Sequence, residues 1–479
     1  MVEEQVLKQV GFTYVLDKLK IVTPYGRDEL KGIKPFKSDE IKACRLMLSD
    51  VEKFFVLFKQ KEGLCEELVE ILTNFKDLRK TCKRLTEGFV LDDVELFELK
   101  NFSLNLKKLL SIYEKANVKV DSVVFAPMQT VINLLNPNDI VVSSFHIYDV
   151  YSQDLRRIRK EKLNILELLK KEPENEMFKN DRARLVLQEQ EEEFRVREEL
   201  SFKLTKYARI MMYNMLAIGK LDLLISKARI ANEYRTCIPE ILESGGIEIK
   251  GAVNIEVNDN LCLQNKEFVG VDICLKEGVS LLTGANMGGK TVALSTVVLN
   301  VLLVTYGFLP FAKEFRCGLV DFVMFVSGDL QNKNRGISSF GAEVLELSKL
   351  CKFMQKAKGL VVFDEFARNT NPLEGQRFVR ALCEMLSEKA SYGLVSTHYD
   401  SVLVKGAWYY RVIGLRDDLI EKFDSEDKVG SLSGIMDYRI KRIDEGDDVP
   451  KDAFKVAKLL GVGDEFLDRL KKFYGGEAK

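Results

Sequence analysis

A chain of 479 residues is longer than one hydrophobic core usually organises, and its length predicts two to four domains. Its 72 basic and 73 acidic residues nearly cancel, which excludes a global field for nucleic acid and leaves any such binding to a local patch. With 46% hydrophobic and 30% charged residues the chain reads as soluble and globular; the longest apolar run, 297–304, contains Asn300 and is too short to span a bilayer, and no charged-then-apolar leader opens the chain, so a cytoplasmic protein is expected.

From Val2 to about Leu135 apolar residues recur at three- and four-residue spacing, as in Val51, Phe54, Phe55 and Phe58 and again in Leu96, Leu99, Phe102, Leu106 and Leu109. Pro24, Gly26, Pro35 and the Glu87-Gly88 step punctuate this pattern, which predicts a helical domain over 1–150. Asn136-Pro137-Asn138 breaks it, and the run Ile140-Val-Val142 precedes a long helical tract starting near Ser152. One stripe there is Leu155, Ile158, Ile165 and Leu169; a second, near heptad spacing, is Leu200, Leu204, Tyr207, Met211, Ile218, Leu221 and Ile225. Two long helices packed as an antiparallel pair over 151–235 bury both stripes, with about a dozen polar residues in 171–184, including Pro173, left for the turn at the tip. The charged run 188–199 reads as a solvated helix face, and Tyr207, Met211, Met212 and Met215 read as core rather than a cofactor box.

Beyond Tyr234 the composition turns to loops and strands. Ile247-Glu-Ile249 and Val253-Asn-Ile-Glu-Val257 alternate like edge strands, and strand-helix alternation up to about Ile420 is the doubly wound pattern, so 236–440 is expected to form an α/β domain. A charged stretch, 417–449, leads to a last helical pair, 451–460 and 464–474, within a final segment 441–479. The nine cysteines form no C-x-x-C pair and only His146 and His398 could supplement them, so buried, reduced thiols are expected rather than a zinc site.

The chemistry gathers in the α/β region. Gly284-Ala285-Asn286-Met287-Gly288-Gly289-Lys290-Thr291 lies between an apolar strand, Val279-Ser-Leu-Leu-Thr283, and an apolar helix from Val292 to Tyr306. The pattern G-x-x-x-x-G-K-T in a strand-loop-helix setting is a P-loop, or Walker A motif: backbone N–H groups close around phosphates, Lys290 reaches the β and γ oxygens, and the Thr291 hydroxyl ligates Mg²⁺. The following helix N-terminus favours the same anion. Leu360-Val-Val-Phe-Asp364-Glu365 is an apolar strand ending in two acids, as expected of a Walker B strand, with Asp364 holding Mg²⁺ and Glu365 placed to orient the attacking water. Tyr392-Gly-Leu-Val-Ser-Thr-His398 is a third such strand, and ligands of open α/β sheets bind outside the carboxyl ends of strands, which makes His398 a γ-phosphate sensor and Lys290, Glu365 and His398 the catalytic set. Gly336-Ile-Ser338-Ser339-Phe340 opens a helix over 341–357; its hydroxyls either cap that helix or donate to phosphate, in the same chain or a second subunit.

Taken together, Thr283 to Thr291, Asp364-Glu365 and Ser396-Thr-His-Tyr399 resemble the ATPase domain of the MutS family. The likeness continues through Tyr306-Gly-Phe-Leu-Pro-Phe-Ala312, the loop from Gly328 to Phe340, Thr370-Asn-Pro-Leu-Glu-Gly375 and the C-terminal Val456-Ala-Lys-Leu-Leu-Gly461, where Lys451-Asp-Ala-Phe stands in place of the family's Ser-Tyr-Gly. Upstream, Thr23-Pro-Tyr-Gly-Arg-Asp-Glu-Leu, 152–159 and Leu221-Asp-Leu-Leu-Ile-Ser-Lys-Ala-Arg-Ile-Ala231 look like the core and lever helices of the bacterial branch acting outside mismatch correction. The resemblance implies an α+β multidomain chain: an all-helical core and lever region, a P-loop ATPase domain of ABC type, and a C-terminal helix-turn-helix that fastens dimers. It also implies ATP and Mg²⁺, Phe268 stacked on adenine, and Ser338 and Ser339 as a signature loop serving the other subunit. Against that family, no counterpart of the mismatch-reading domain, the connector or the nuclease domain is expected, and the inserted clamp is expected to be reduced to a short tip around 172–181. Two functions follow. One is a homodimeric MutS-like ATPase acting on DNA, in DNA mismatch repair or a related recombination or structure-specific transaction, without reading mismatches itself. The other is an ATP-driven clamp or chaperone on a protein partner.

Overall fold

The computed structural model describes residues 2–137, 147–284, 288–327, 339–355, 357–389, 391–399, 402–416, 418, 434–444 and 453–474. Its helices begin with α1 (Glu4–Gln9), α2 (Phe12–Asp17), α3 (Pro24–Lys31), α4 (Ile41–Gln60), α5 (Glu62–Thr73), α6 (Arg79–Thr86), α7 (Asp93–Ala116) and α8 (Gln129–Leu135). The long helices α9 (Gln153–Lys171), α10 (Glu176–Thr205) and α11 (Ala208–Glu233) follow. Then come β1 (Glu240–Leu242), β2 (Ile247–Ala252), α12 (Ile255–Cys262), β3 (Val271–Leu275), β4 (Gly278–Thr283), α13 (Lys290–Thr305), β5 (Glu314–Gly318), β6 (Phe322–Ser327) and α14 (Ser339–Phe353). The last elements are β7 (Gly359–Asp364), α15 (Pro372–Ser387), β8 (Tyr392–Ser396), β9 (Trp408–Leu415), β10 (Met436–Ile443), α16 (Ala453–Leu459) and α17 (Asp464–Tyr474). The chain is thus mixed α/β, and it divides into one unit of Met1–Leu19, Lys34–Glu52 and Lys227–Lys479 and another of Lys20–Ile33 and Lys53–Ser226. Among the described residues no helix is long and apolar enough to cross a membrane.

The second unit is helical, and its helices carry their own start and stop signals. In α7 the Asp92 side chain accepts from the Glu95 amide while Glu95 reaches back to the Asp92 amide, Leu96, Leu99, Phe102, Leu106 and Leu109 are buried along one face, and Asn117 stops the helix in a left-handed conformation. The segments around Thr23 and Asp222, 199 residues apart, meet: Asp222 accepts from both the Thr23 amide and its hydroxyl at 2.7 Å. A Cβ on Gly26 would lie 2.4 Å from that carboxylate, so only glycine lets the α3 start approach it. Burial pushes the Asp222 carboxyl upward, against the Thr23 donors that favour its charge.

In the same unit α9 and α10 form a hairpin that departs from the sequence reading in three places. The tip is only 172–175, because the Asn175 side chain accepts from the Met177 and Phe178 amides and starts α10 well before Arg184. The charged run in α10 is not simply a solvated face: Arg159 of α9 binds Glu189 at 2.9 Å and Glu193 at 2.6 Å, and Lys162 also binds Glu189. The apolar stripe from Leu200 to Ile225 is not one helix, since α10 ends at Thr205 and α11 begins at Ala208.

In the first unit, two sheets form. The larger has the order β10-β9-β4-β8-β7-β6, parallel throughout except for the β9/β10 pair; the smaller has the order β1-β5-β2-β3. Strands β4, β6, β7 and β8 are buried at every residue, which is why they read as predominantly apolar runs, with Ser280 the polar interruption in β4. Val279, Leu281, Val361, Phe363 and Val395 join one core with Leu350 of α14 and Val379, Leu382 and Leu386 of α15. Period-2 alternation leaves Leu282, Val362 and Leu394 for the opposite face, and α13, apolar all round, packs against β6 and β7.

Two expectations for this unit are corrected. β2 is not an edge strand but lies between β5 and β3, and residues 253–257 are not a strand. Asn254 caps α12 by accepting from the Val257 amide and donates its own amide to the Val10 carbonyl at 3.2 Å, a local signal that overrides the alternation of the apolar side chains. Lys227 is wholly buried, donating to the Tyr306 and Gly307 carbonyls just beyond α13 at 2.9 and 3.1 Å and lying 4.3 Å from the Phe308 ring. Desolvation pulls its ammonium down to about 7, while the helix C-terminus and the ring face favour the charge.

Candidate functional site

β4 runs down the middle of the larger sheet with β8 and β9 as its parallel neighbours. The registers pair Leu282 with Ser396 and Phe363 with Val395, so β4, β8 and β7 end at one edge and deliver Thr283, Ser396 and Asp364 there. The chain leaves β4 at Gly284, with φ of 143°, and enters α13 through Gly289, with φ of 78°. A Cβ on Gly289 would be strained and 2.9 Å from the Tyr438 ring of β10, so the turn needs glycine there. Ala285, Asn286 and Met287 lie outside the described residues.

At the first position of α13, Lys290 is only 5% exposed, and its ammonium donates to the Gly284 carbonyl at 2.8 Å and pairs with Glu365 at 3.3 Å. Thr291 donates its hydroxyl to Asp364 Oδ2 at 2.5 Å, joining the start of α13 to the end of β7. Asp364 Oδ1 accepts from the Ser396 hydroxyl at 2.6 Å, and the same Ser396 oxygen accepts from the Glu365 amide at 2.8 Å. The second oxygen of Glu365 takes the Arg368 guanidinium at 2.5 Å. An open pocket lies over Gly288, Gly289, Lys290, Thr291, Glu365 and Arg368.

The geometry brings Lys290, Thr291, Asp364 and Glu365 into one hydrogen-bonded group. His398 follows β8, exposed, with its ring 4.1 Å from that of Tyr399. Phe268 is half-buried in the connection from α12 to β3. Ser338 lies outside the described residues, and Ser339 is the first residue of α14. Sequence reasoning gave no role to Ser396, Arg368 or Tyr438. Ser396 ends an apolar strand as Asp364 does, and that shared position was the available signal.

In electrostatic terms the group is a cation between two acceptors it can exchange. A buried ammonium held by a carbonyl and a carboxylate can pass to phosphate oxygens without losing its hydrogen bonds. The Thr291 hydroxyl and the Asp364 carboxylate are adjacent hard oxygen donors, the set that suits Mg²⁺. The first amides of α13 add a positive dipole end at the same place.

Comparison with known proteins bears on this region. Residues 280–419 match the family model described as MutS domain V. The chain is 29% identical over 310 residues to Endonuclease MutS2 of Enterococcus faecalis, a match covering 64% of this chain and 37% of that relative. It is 27% identical over 302 residues to the Endonuclease MutS2 of Caldanaerobacter subterraneus, covering 62% and 36%, and 30% identical over 297 residues to that of Clostridium tetani, covering 61% and 35%. The chain therefore spans a little over a third of the length of these relatives.

Proposed function

We propose that this chain, which belongs to the MutS family, is a P-loop ATPase that binds ATP with Mg²⁺, hydrolyses it slowly and couples the cycle to a DNA transaction. The observation that carries the reading is the group Lys290–Glu365–Asp364–Thr291 where β4, β7 and β8 end. Lys290 exchanges the Gly284 carbonyl for β- and γ-phosphate oxygens, and Gly284, Ala285, Asn286, Met287, Gly288 and Gly289 wrap the phosphates with backbone amides. Thr291 and Asp364 hold Mg²⁺, which when bound neutralises charge on the transferring phosphoryl group. Glu365 accepts a hydrogen bond from the attacking water and so orients it, His398 donates towards the γ-phosphate, and Phe268 stacks on adenine.

In this reading the chain works as a homodimer, with Ser338 or Ser339 of one protomer facing nucleotide held by the other. A chain with both serines changed to Ala is expected to lose ATPase activity, and mixing it with a Lys290→Ala chain to restore one composite site. No recovery in the mixture would place the serines in cis.

The DNA contact is assigned to the α9/α10 hairpin, and the charges there set its strength. Residues 172–184 hold three cations against four acids, and Lys179 already pairs with Glu174 and Glu176 and Arg184 with Asp181. Few phosphates can be neutralised, so the expected affinity for duplex is weak, on the order of 10⁻⁴ to 10⁻⁶ M at physiological salt, with a shallow salt slope. Titration of labelled homoduplex, heteroduplex and four-way junction at two salt concentrations, with and without ATP, is expected to give no preference for a mismatch. Tight, mismatch-selective binding would contradict this reading. The same self-neutralised tip favours a second reading, an ATP-driven clamp on a protein partner, and a complete lack of DNA binding in that titration would select it.

A further inference from the structure

Glu365 and Ala367 both have left-handed backbones, with φ of 52° and 59°, a conformation that non-glycine residues hold only where their surroundings impose it. The first is fixed through its amide by Ser396, as described above. Ala367 is gripped on both sides of the residue: its amide donates to Glu343 Oε2 of α14 at 2.8 Å, and its carbonyl accepts from the Tyr399 hydroxyl at 3.1 Å. Tyr399 reaches that carbonyl through a slot left by Gly375 of α15, where a Cβ would lie 2.1 Å from the hydroxyl.

Glu343 is a costly residue for this place. It is 2% exposed, and its other carboxyl oxygen is buried with no hydrogen-bond partner among the described residues. Burial accordingly pushes its carboxyl above the ordinary range, with the Ala367 amide pulling the other way. Ala367 is itself fully buried, so no solvent stands ready to replace the Glu343 oxygen on its amide.

We propose that Glu343 is a positioning residue for Glu365: by holding the Ala367 amide it maintains the left-handed turn that presents the Glu365 carboxylate next to Lys290. The proposal rests on the ATPase reading given above. Without that acceptor the buried amide is unpaired, and the turn gains more by relaxing to right-handed φ values than by staying. Ser339 lies four residues before Glu343 on the same helix, one turn away, so the turn carrying Glu365 is tied to the helix end that the proposed function directs at a second protomer.

The test uses the full-length chain and the variants Glu343→Ala, Glu343→Gln and Tyr399→Phe. Single-turnover hydrolysis in Glu343→Ala is expected to slow on the order of a hundredfold, the cost of a small misplacement of a catalytic group, while ATP affinity stays within about twofold. Glu343→Gln retains an acceptor oxygen and is expected to restore the rate to within about threefold. Hydrogen exchange of the Ala367 amide is expected to accelerate roughly tenfold in Glu343→Ala and not in Glu343→Gln. If Glu343→Ala does not fold, Tyr399→Phe, which removes the other grip, is expected to move rate and exchange in the same direction, and a parental rate and exchange there would overturn the proposal. Parental hydrolysis in Glu343→Ala, or equal losses in the Ala and Gln variants, would overturn it too. A parent that binds but never hydrolyses ATP defeats the ATPase reading instead, and the exchange measurement alone then decides whether Glu343 holds the turn.

Discussion

Changing Glu365 to Gln is expected to leave ATP bound and to lower turnover by roughly 10²- to 10⁴-fold, the contribution of a positioned acid–base group. The substitution keeps the side-chain volume and one acceptor oxygen, so the Ser396 hydroxyl still holds residue 365 through its backbone amide. What disappears is the negative charge that Lys290 at 3.3 Å and Arg368 at 2.5 Å now share. Lys290 keeps the Gly284 carbonyl at 2.8 Å and is freer to turn to phosphate, so binding should not weaken. Single-turnover hydrolysis measured beside equilibrium ATP binding separates the two effects. A Gln variant that hydrolyses ATP at the parental rate would remove Glu365 from its assigned role.

Much of this site was legible because its parts are local or fully buried. β4 and β7 are buried along their whole length; β7 therefore appears as an unbroken apolar run and β4 as one interrupted only by Ser280, and each ends where the polar residues of the site begin. The glycine at 289 answers to a backbone angle that the motif itself demands. By contrast, the left-handed turn at Glu365 and Ala367 depends on Glu343 of α14 and on Ser396 and Tyr399 at the end of β8, two distant stretches, and nothing in the residues 365–368 announces it.

Elsewhere the same distinction holds. The α10 charges looked solvated because their partners, Arg159 and Lys162, lie about thirty residues earlier on the antiparallel helix, beyond the reach of any helical periodicity. Residues 253–257 alternate like a strand, but a single cap at Asn254 with a tertiary hydrogen bond to Val10 decides for helix. Helical periodicity in the first fifty residues says that one face is apolar and is silent on what covers it; the segments Met1–Leu19 and Lys34–Glu52 belong to the unit that holds the sheets.

Lys290 carries the other large expected effect. Its ammonium is the buried cation of the group, and Lys290→Ala removes it while leaving Glu365 to Arg368 and Thr291 to Asp364. A hydrogen bond to a charged group contributes about 1.5–3 kcal/mol, so loss of the lysine–phosphate contacts should weaken ATP binding on the order of a hundredfold. The most direct measurement is equilibrium dialysis of labelled ATP against the parent and Lys290→Ala chains, each with and without Mg²⁺. Saturable, Mg²⁺-enhanced binding of ATP by the parent and its near loss in Lys290→Ala are expected; a parent that takes up no ATP, or a variant that binds it as tightly as the parent, would rule out the P-loop assignment.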